Sequence, residues 1–308
     1  MSLRKAASTL MLDLNRVFKN DRLMRSLTGM NLAAFDQLLE SFEEAYQESY
    51  PMTAGRKRAP GGGRKPILLE IEDKLFFVLF YFKCYPTFDL AGIIFDFDRS
   101  QAYRWVRRLR PVLEAALGKE LVLPKRQLHN VAEFIRCFPE AERVILDGVE
   151  RPIQRPKDKD RQQQTYSGKK KRNSRKHLGL SDQDKRILLL TPAHDGSVHD
   201  KSILDCIELA EHIPIDVPIQ VDLGFKGFES EYENIEIPHK KPRGGKLTPE
   251  QKEDNRLFSG ERVVVEHAFG GTKRYKAVAD IYRNRKPGFD DQLMVTAAGL
   301  WNFYLQAA

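Results

Sequence analysis

Two short apolar runs set the strongest constraint on how this chain folds. Val144-Ile-Leu146 leads into Asp147-Gly148, and Pro218-Ile-Gln-Val221 leads into Asp222-Leu-Gly224. An apolar run of this length, closed by Asp and Gly, is the pattern of a strand buried on both faces of a sheet. Each aspartate is therefore expected at a strand end, where backbone is exposed yet rigidly held and where such sheets collect ligands. An aspartate there also serves as an ordinary turn or cap residue, so neither is informative alone.

A third acid, Glu266, lies in a helical region expected from Thr248 or Pro249 through Lys276. Each helical residue turns by about 100°, so Arg262, Glu266 and Lys273 are expected on one face. A surface ion pair accounts for Arg262 with Glu266. It does not account for their coincidence with two strand acids. Gly270-Gly271 falls between Glu266 and Lys273, and each glycine weakens a helix by roughly 1 kcal/mol. The pair implies either a bend or a close approach to the sheet. Three carboxylates brought together can hold two divalent cations, and two cations can drive displacement at a phosphodiester. Oxygen ligands suit hard Mg²⁺ or Mn²⁺.

Before this region the chain reads as helical. A helix is expected over 8–25, and a second follows on Leu32, Phe35, Leu38, Leu39, Phe42 and Tyr46, with Asn31 as its cap. Residues 51–66, rich in Pro, Gly, Arg and Lys, read as a basic linker, either simply solvated or following a phosphate backbone. An apolar helix over 69–85 stops at Pro86. Thr87 caps a short helix to Phe95, Asp96-Phe-Asp98 turns, and a third helix runs from Arg99 to Leu109. Pro111 either kinks it or opens another helix to Leu117. Two short helices, a tight turn and a cationic second helix are the pattern of a helix-turn-helix. Arg99, Gln101, Arg104, Arg107 and Arg108 are its candidate DNA contacts; a basic surface helix without DNA is the plain alternative.

From Leu121 the pattern alternates. Strands are expected at 144–146, 177–180, 186–191, 217–221 and 235–237, with helices at 201–212 and 289–305 and a short helical piece at 225–232. That order makes an α/β layer, a mixed sheet flanked by helices. Residues 155–176 show no apolar period and read as a long exposed cationic loop, with Lys169, Lys170, Lys171 and Arg172 as candidate phosphate contacts. The domains expected are an N-terminal helical region (1–50), the linker (51–66), the helix-turn-helix (67–120) and the α/β domain (121–308).

With 51 Lys and Arg against 43 Asp and Glu, the net charge is +8, which favours polyanionic partners. Three scattered cysteines, without a CxxC pair, fit buried thiols in a reducing compartment. No apolar stretch is long enough to span a bilayer, and the first residues lack a signal-peptide core. A soluble intracellular protein is expected, cytoplasmic and nucleoid-associated if bacterial, nuclear if eukaryotic. His199 reads as structural. His194, His239 and His267 carry no clear chemistry.

Taken together, the residues resemble the DDE transposases with an RNase H-like core, notably the endonuclease group of bacterial insertion sequences and Harbinger-type elements. The resemblance rests on Asp147-Gly-Val-Glu150 with Arg155-Pro156, Tyr166-Ser-Gly-Lys-Lys170, Gly196-Ser-Val-His-Asp200, Val221-Asp-Leu-Gly-Phe-Lys-Gly227, and Asn255-Arg256 before Arg262-Val-Val-Val-Glu-His-Ala-Phe-Gly270. It covers most of residues 65–305. It implies Asp147, Asp222 and Glu266 as catalytic, metal-binding acids for two Mg²⁺ or Mn²⁺ ions, with Arg262 and Lys273 as DNA or active-site helpers. It further implies hydrolysis at element ends, strand transfer of the 3′-hydroxyl into target DNA, and a homodimer or larger assembly on terminal inverted repeats. Many relatives carry Tyr three residues before the equivalent of Arg262, where this chain has Ser259. The alternatives are a DNA-binding protein derived from a transposase, or a nuclease that cuts without strand transfer.

Overall fold

The computed structural model describes residues 12–50 and 67–307. The basic linker at 51–66 and the start of the first expected helix lie outside them. The chain divides into two compact units. The first runs to Val122 and takes in Arg274–Ala277 and the end of the last helix. The second holds Leu123–Lys273 and Val278–Asn302.

The first unit is helical: α1 (Leu14–Val17), α2 (Asp21–Thr28), α3 (Leu32–Ser49), α4 (Ile71–Cys84), α5 (Phe88–Phe95) and α6 (Arg99–Lys119). The single helix expected over 8–25 is two, because the Asn20 side chain accepts from Leu23 N and starts a new helix at Asp21. Asn31 and Thr87 cap α3 and α5 as their spacing implies. Between α5 and α6 the turn is tight: a Cβ on Gly92 would lie 2.5 Å from the Phe97 carbonyl, so only glycine fits there. Asp96 takes the left-handed conformation, and Asp98 caps α6 with a capping box. Pro111 does not end α6, which continues through it. A proline in a helix forfeits one backbone hydrogen bond, and the packing of Leu109, Val112, Leu113 and Ala116 in the core outweighs that loss. Phe76, Phe77, Phe95 and Phe97 form the aromatic centre of this unit.

The second unit is built on a seven-stranded mixed sheet. Its elements are α7 (Val131–Cys137), β1 (Val144–Pro152), α8 (Lys159–Thr165), β2 (Tyr166–Ser167), β3 (Arg172–Asp182), β4 (Ile187–Leu190), β5 (His194–Asp195), α9 (Asp200–Ile207), β6 (Ile219–Gln220), β7 (Ile235–Glu236), α10 (Pro249–Lys273), α11 (Lys276–Ala279) and α12 (Phe289–Ala307). The order is β2-β3-β1-β6-β7, with β4 and β5 also on β3. β1, β3 and β4 are antiparallel, while β6 runs parallel to β1. This is an RNase H-like α/β core. One face of β1, through Val144 and Leu146, packs into a core with Leu178, Leu180, Ile203 and Leu204. The other face receives α10.

Three expectations about this unit are corrected. Asp147 does not end its strand: β1 continues through Glu150, Arg151 and Pro152, pairing with β3 down to Ser174. Nor is 155–176 one long loop. Asp158 caps α8 by accepting from Arg161 N, and β3 begins at Arg172. Charged residues in the interior of these strands are held by partners. Lys176 donates to the Val198 carbonyl at 2.8 Å and pairs with Asp200 at 2.9 Å. Arg151 lies over the Tyr282 ring. Cys206 is exposed rather than buried. Among the described residues, no helix is long and apolar enough to cross a membrane.

α10 runs unbroken through Gly270-Gly271, and the two glycines do different things. A Cβ on Gly271 would lie 2.3 Å from the Trp301 indole, whereas one on Gly270 would meet nothing within 4 Å. The close approach is to α12, not to the sheet. Gly270→Ala should therefore stabilise the protein by up to about 1 kcal/mol through helix propensity. Gly271→Ala should destabilise it by about 1–3 kcal/mol through overpacking. Urea denaturation of the two variants reads the opposite signs.

Candidate active site

Asp147 pairs directly with Gly179 across the β1–β3 ladder. Directly opposed residues of an antiparallel pair project to the same face. A Cβ on Gly179 would lie only 2.4 Å from Cζ of Phe269, so the Phe269 ring occupies that space and α10 rests on the Asp147 face. From there α10 crosses the sheet. Arg262, two turns earlier, brings its guanidinium to 4.0 Å from the Asp147 carboxylate. Glu261 accepts from Gln220 Nε2 at 2.5 Å and pairs with Arg143 at 2.7 Å, anchoring the helix over β6.

Asp222 reaches the same place by register. Ile145 pairs with Gln220 in the parallel β1–β6 ladder, so two residues further Asp147 stands level with Asp222. There β6 has ended, and the Asp222 carboxylate turns the chain by accepting from Gly224 N at 2.7 Å. Lys169, in the turn between β2 and β3, lies 3.6 Å from Asp222. Burial raises the Asp147 pKa above the ordinary carboxylate range. The Gly148 N–H and Arg262 oppose that rise, and Asp222 adds to it. The Lys273 ammonium is pushed down, chiefly by desolvation and then by Lys170, while Asp147 pulls it up. Glu266 is exposed, one turn from Arg262 on α10. Among the described residues, no three His, Cys, Asp or Glu side chains gather closely enough to hold an ion. The donor chemistry nevertheless suits a hard cation: two carboxylates at matched register, one of them disfavoured as an anion, with compensating charge supplied by Lys169 and Arg262.

Residues 146–302, just over half of the chain, match the family described as DDE superfamily endonuclease. Residues 68–119 match the helix-turn-helix of DDE superfamily endonuclease. The chain belongs to the DDE superfamily endonucleases. It is similar to the probable transposase for insertion sequence element IS702 of Microchaete diplosiphon, with 28% identity over 254 residues, covering 82% of this chain and 87% of that protein. No solved structure matches it.

In this DDE endonuclease the helix-turn-helix presents its cations unequally. Arg104 is exposed, and with Gln101, Trp105 and Arg108 it lines a small cleft of about 190 Å³. Gln101 accepts from Asp98 N in the capping box, a structural duty that its position in the first turn implies. Arg99 lies 3.8 Å from Asp89, and Arg107 donates to the Tyr103 hydroxyl at 3.3 Å. Arg108 donates to the Tyr46 hydroxyl and stacks at 4.0 Å on Tyr50.

Behind Asp147, on the opposite face of β1, lies a polar network that the sequence pattern does not reveal. Buried Glu150 accepts from Ser167 Oγ at 3.0 Å and Ser174 Oγ at 2.7 Å, and Lys176 lies 3.9 Å away. Ser167 Oγ also accepts from Lys170 N at 3.1 Å, which fixes the turn carrying Lys169. The available signal was Glu150 itself, an acid three residues after Asp147. Of the histidines, His177 is fully buried, its Nδ1 2.9 Å from the Thr191 carbonyl, and burial pushes its pKa down to about 4. His239 lies 3.2 Å from Asp254, and His267 is exposed.

The raised Asp147 pKa has a definite sign in stability. An acid harder to ionise in the fold than in the unfolded chain opposes folding once it is charged. That penalty is absent below the ordinary carboxylate pKa and grows as pH rises through the folded value. Asp147→Asn should therefore raise the melting temperature at pH 7–8 in EDTA, with the gain vanishing toward pH 3–4. A variant destabilised across that range would contradict this electrostatic reading.

Proposed function

We propose that this chain is a transposase that cleaves DNA at the ends of a mobile element and joins the freed 3′-hydroxyl to target DNA. In this reading Asp147, Asp222 and Glu266 hold two Mg²⁺ or Mn²⁺ ions. The observation that carries it is the register match of Asp147 with Asp222 beneath the helix that bears Glu266. Bound divalent ions would activate the attacking oxygen and stabilise the leaving 3′-oxygen during in-line displacement. The chain's own cations serve the phosphate. Arg262, beside Asp147, and Lys273 neutralise charge that grows on the phosphate oxygens. Lys169 exchanges its contact with Asp222 for one with DNA. No protein nucleophile is needed, so no covalent enzyme–DNA intermediate forms. The similarity to an insertion-sequence transposase supports a mobile element as the substrate, and a homodimer or larger assembly would bring two ends together.

Asp222→Asn removes a charged ligand and keeps the side-chain shape. It should abolish Mg²⁺-dependent cleavage of an element-end duplex while DNA binding survives. Undiminished cutting by purified variant protein would reject Asp222 as a ligand.

The two DNA-contacting regions should separate by what each reads. Replacing Arg99, Gln101 and Arg104 together should lower the ratio of specific to nonspecific binding, since a good base contact supplies roughly 1–3 kcal/mol of discrimination. Neutralising Lys169, Lys170, Lys171 and Arg172 should retain sequence preference. It should also flatten the plot of log affinity against log salt by up to about 3–4. Titration against an element-end duplex and a scrambled one at several salt concentrations measures both; the reverse pattern would overturn the assignment.

A further inference from the structure

Two clefts, of about 690 and 640 Å³, meet at Ile153 and Arg155, which line both. One is walled by Arg161, Arg175 and the turn that carries Arg285 and Lys286. The other is walled by α8, Tyr166, Lys171 and Arg172. The Tyr282 N–H donates to the Pro152 carbonyl at 2.9 Å, which pins the 282–288 turn to the end of β1. The ion pairs within these clefts join Arg161 and Arg175 to Asp195 and Arg175 to Asp290. Lys157, Lys171, Arg172, Arg285 and Lys286 form none among the described residues, and all are exposed. The two carboxylates that line the clefts are already engaged, Asp158 as the α8 cap and Asp290 by Arg175. The clefts therefore present a positive surface with no internal counter-charge for five of its cations.

Size and shape select the ligand. Each cleft falls within the roughly 300–1,000 Å³ typical of a site for one small molecule, a size that suits a nucleotide or two. Tyr166 is 46% exposed in the second cleft, beside Lys171, Arg172 and the amides of Gln162, Gln163 and Asn173. An exposed ring among cations is how proteins hold unpaired bases, by stacking on the ring while cations track the phosphates. Lys171, in the lining of the second cleft, stands two residues beyond Lys169, which lies 3.6 Å from Asp222. We propose that the joined clefts bind a short single-stranded stretch of DNA continuing from the carboxylate centre. One base stacks on Tyr166, and phosphates lie against Arg285 and Lys286. The inference rests on the DNA-cleaving reading above.

The test uses the full chain in EDTA, by fluorescence anisotropy. The probes are a labelled oligothymidylate of roughly 20 nucleotides and a blunt duplex of the same length. Tyr166→Ala should weaken oligothymidylate binding by about tenfold, the loss of one stacked base, and leave duplex binding unchanged. Tyr166→Phe, which keeps the ring, should bind like the unaltered chain. Arg285→Ala with Lys286→Ala should flatten the single-strand salt dependence by roughly 1.4, about 0.7 per phosphate contact. Equal losses on both probes, or no loss with Tyr166→Ala, would overturn the inference. An unaltered chain that binds duplex but not oligothymidylate would overturn it and leave the DNA-cleaving reading standing. If the Tyr166 pattern appears while Asp222→Asn still cleaves, the carboxylate assignment falls and the cleft stands.

Discussion

The α/β unit of this protein depends on one contact, the Phe269 ring seated on Gly179. Because Gly179 is the ladder partner of Asp147, the absence of a side chain there lets α10 descend onto the Asp147 face. Any side chain at 179 would have to displace an aromatic ring packed between helix and sheet, and such overpacking costs roughly 1–3 kcal/mol. Gly271 plays the matching part on the far side of the helix, where it lets Trp301 close in. Trp301 is fixed in turn by donating from Nε1 to the Lys185 carbonyl at 2.8 Å. With both sides held, Arg262 meets Asp147 and Glu266 emerges one turn away on the same helix.

A second constraint is charge. Two carboxylates set level on adjacent strands repel one another, and burial makes the repulsion harder to screen. Lys169 beside Asp222 and Arg262 beside Asp147 offset it, one from a turn and one from a helix. The turn would have little reason to hold its shape without the buried Glu150, whose two serine contacts and nearby Lys176 form a satisfied polar network. Removing one member of such a network leaves the others buried without a partner, which is why these networks rigidify what they touch. The same strand thus presents Asp147 on one face and, on the other, a structural acid that steadies the turn carrying Lys169.

How much of this was legible in the sequence follows from how local each cause is. The apolar runs before Asp147 and Asp222 marked their strands, because the signal is burial of consecutive residues. The caps at Asn31 and Thr87 marked helix starts, because a cap is a contact over three residues. The extension of β1 through Glu150-Arg151-Pro152 and of β3 through Arg172–Lys176 was not legible. Charged residues read as loop until their buried partners are known, and Asp200, Asp290 and Tyr282 lie far away in sequence. Cationic α8 was hidden in the same way. The split of the first helix was missed although its cause, Asn20, is local. At the candidate site the acids and Arg262 stood out as types in a pattern. Gly179, which decides whether helix and strand can meet, carries no side-chain chemistry and so gave no signal.

The proposed function requires Asp147 and Asp222 to hold a divalent cation together on one face of the sheet. The most direct test is Mn²⁺ titration of the DNA-bound chain at neutral pH, followed by loss of the free-ion EPR signal. Mn²⁺ should bind the unaltered chain, and Asp147→Asn and Asp222→Asn should each weaken that binding sharply with DNA still bound. Equal Mn²⁺ uptake by the unaltered chain and both variants would contradict it.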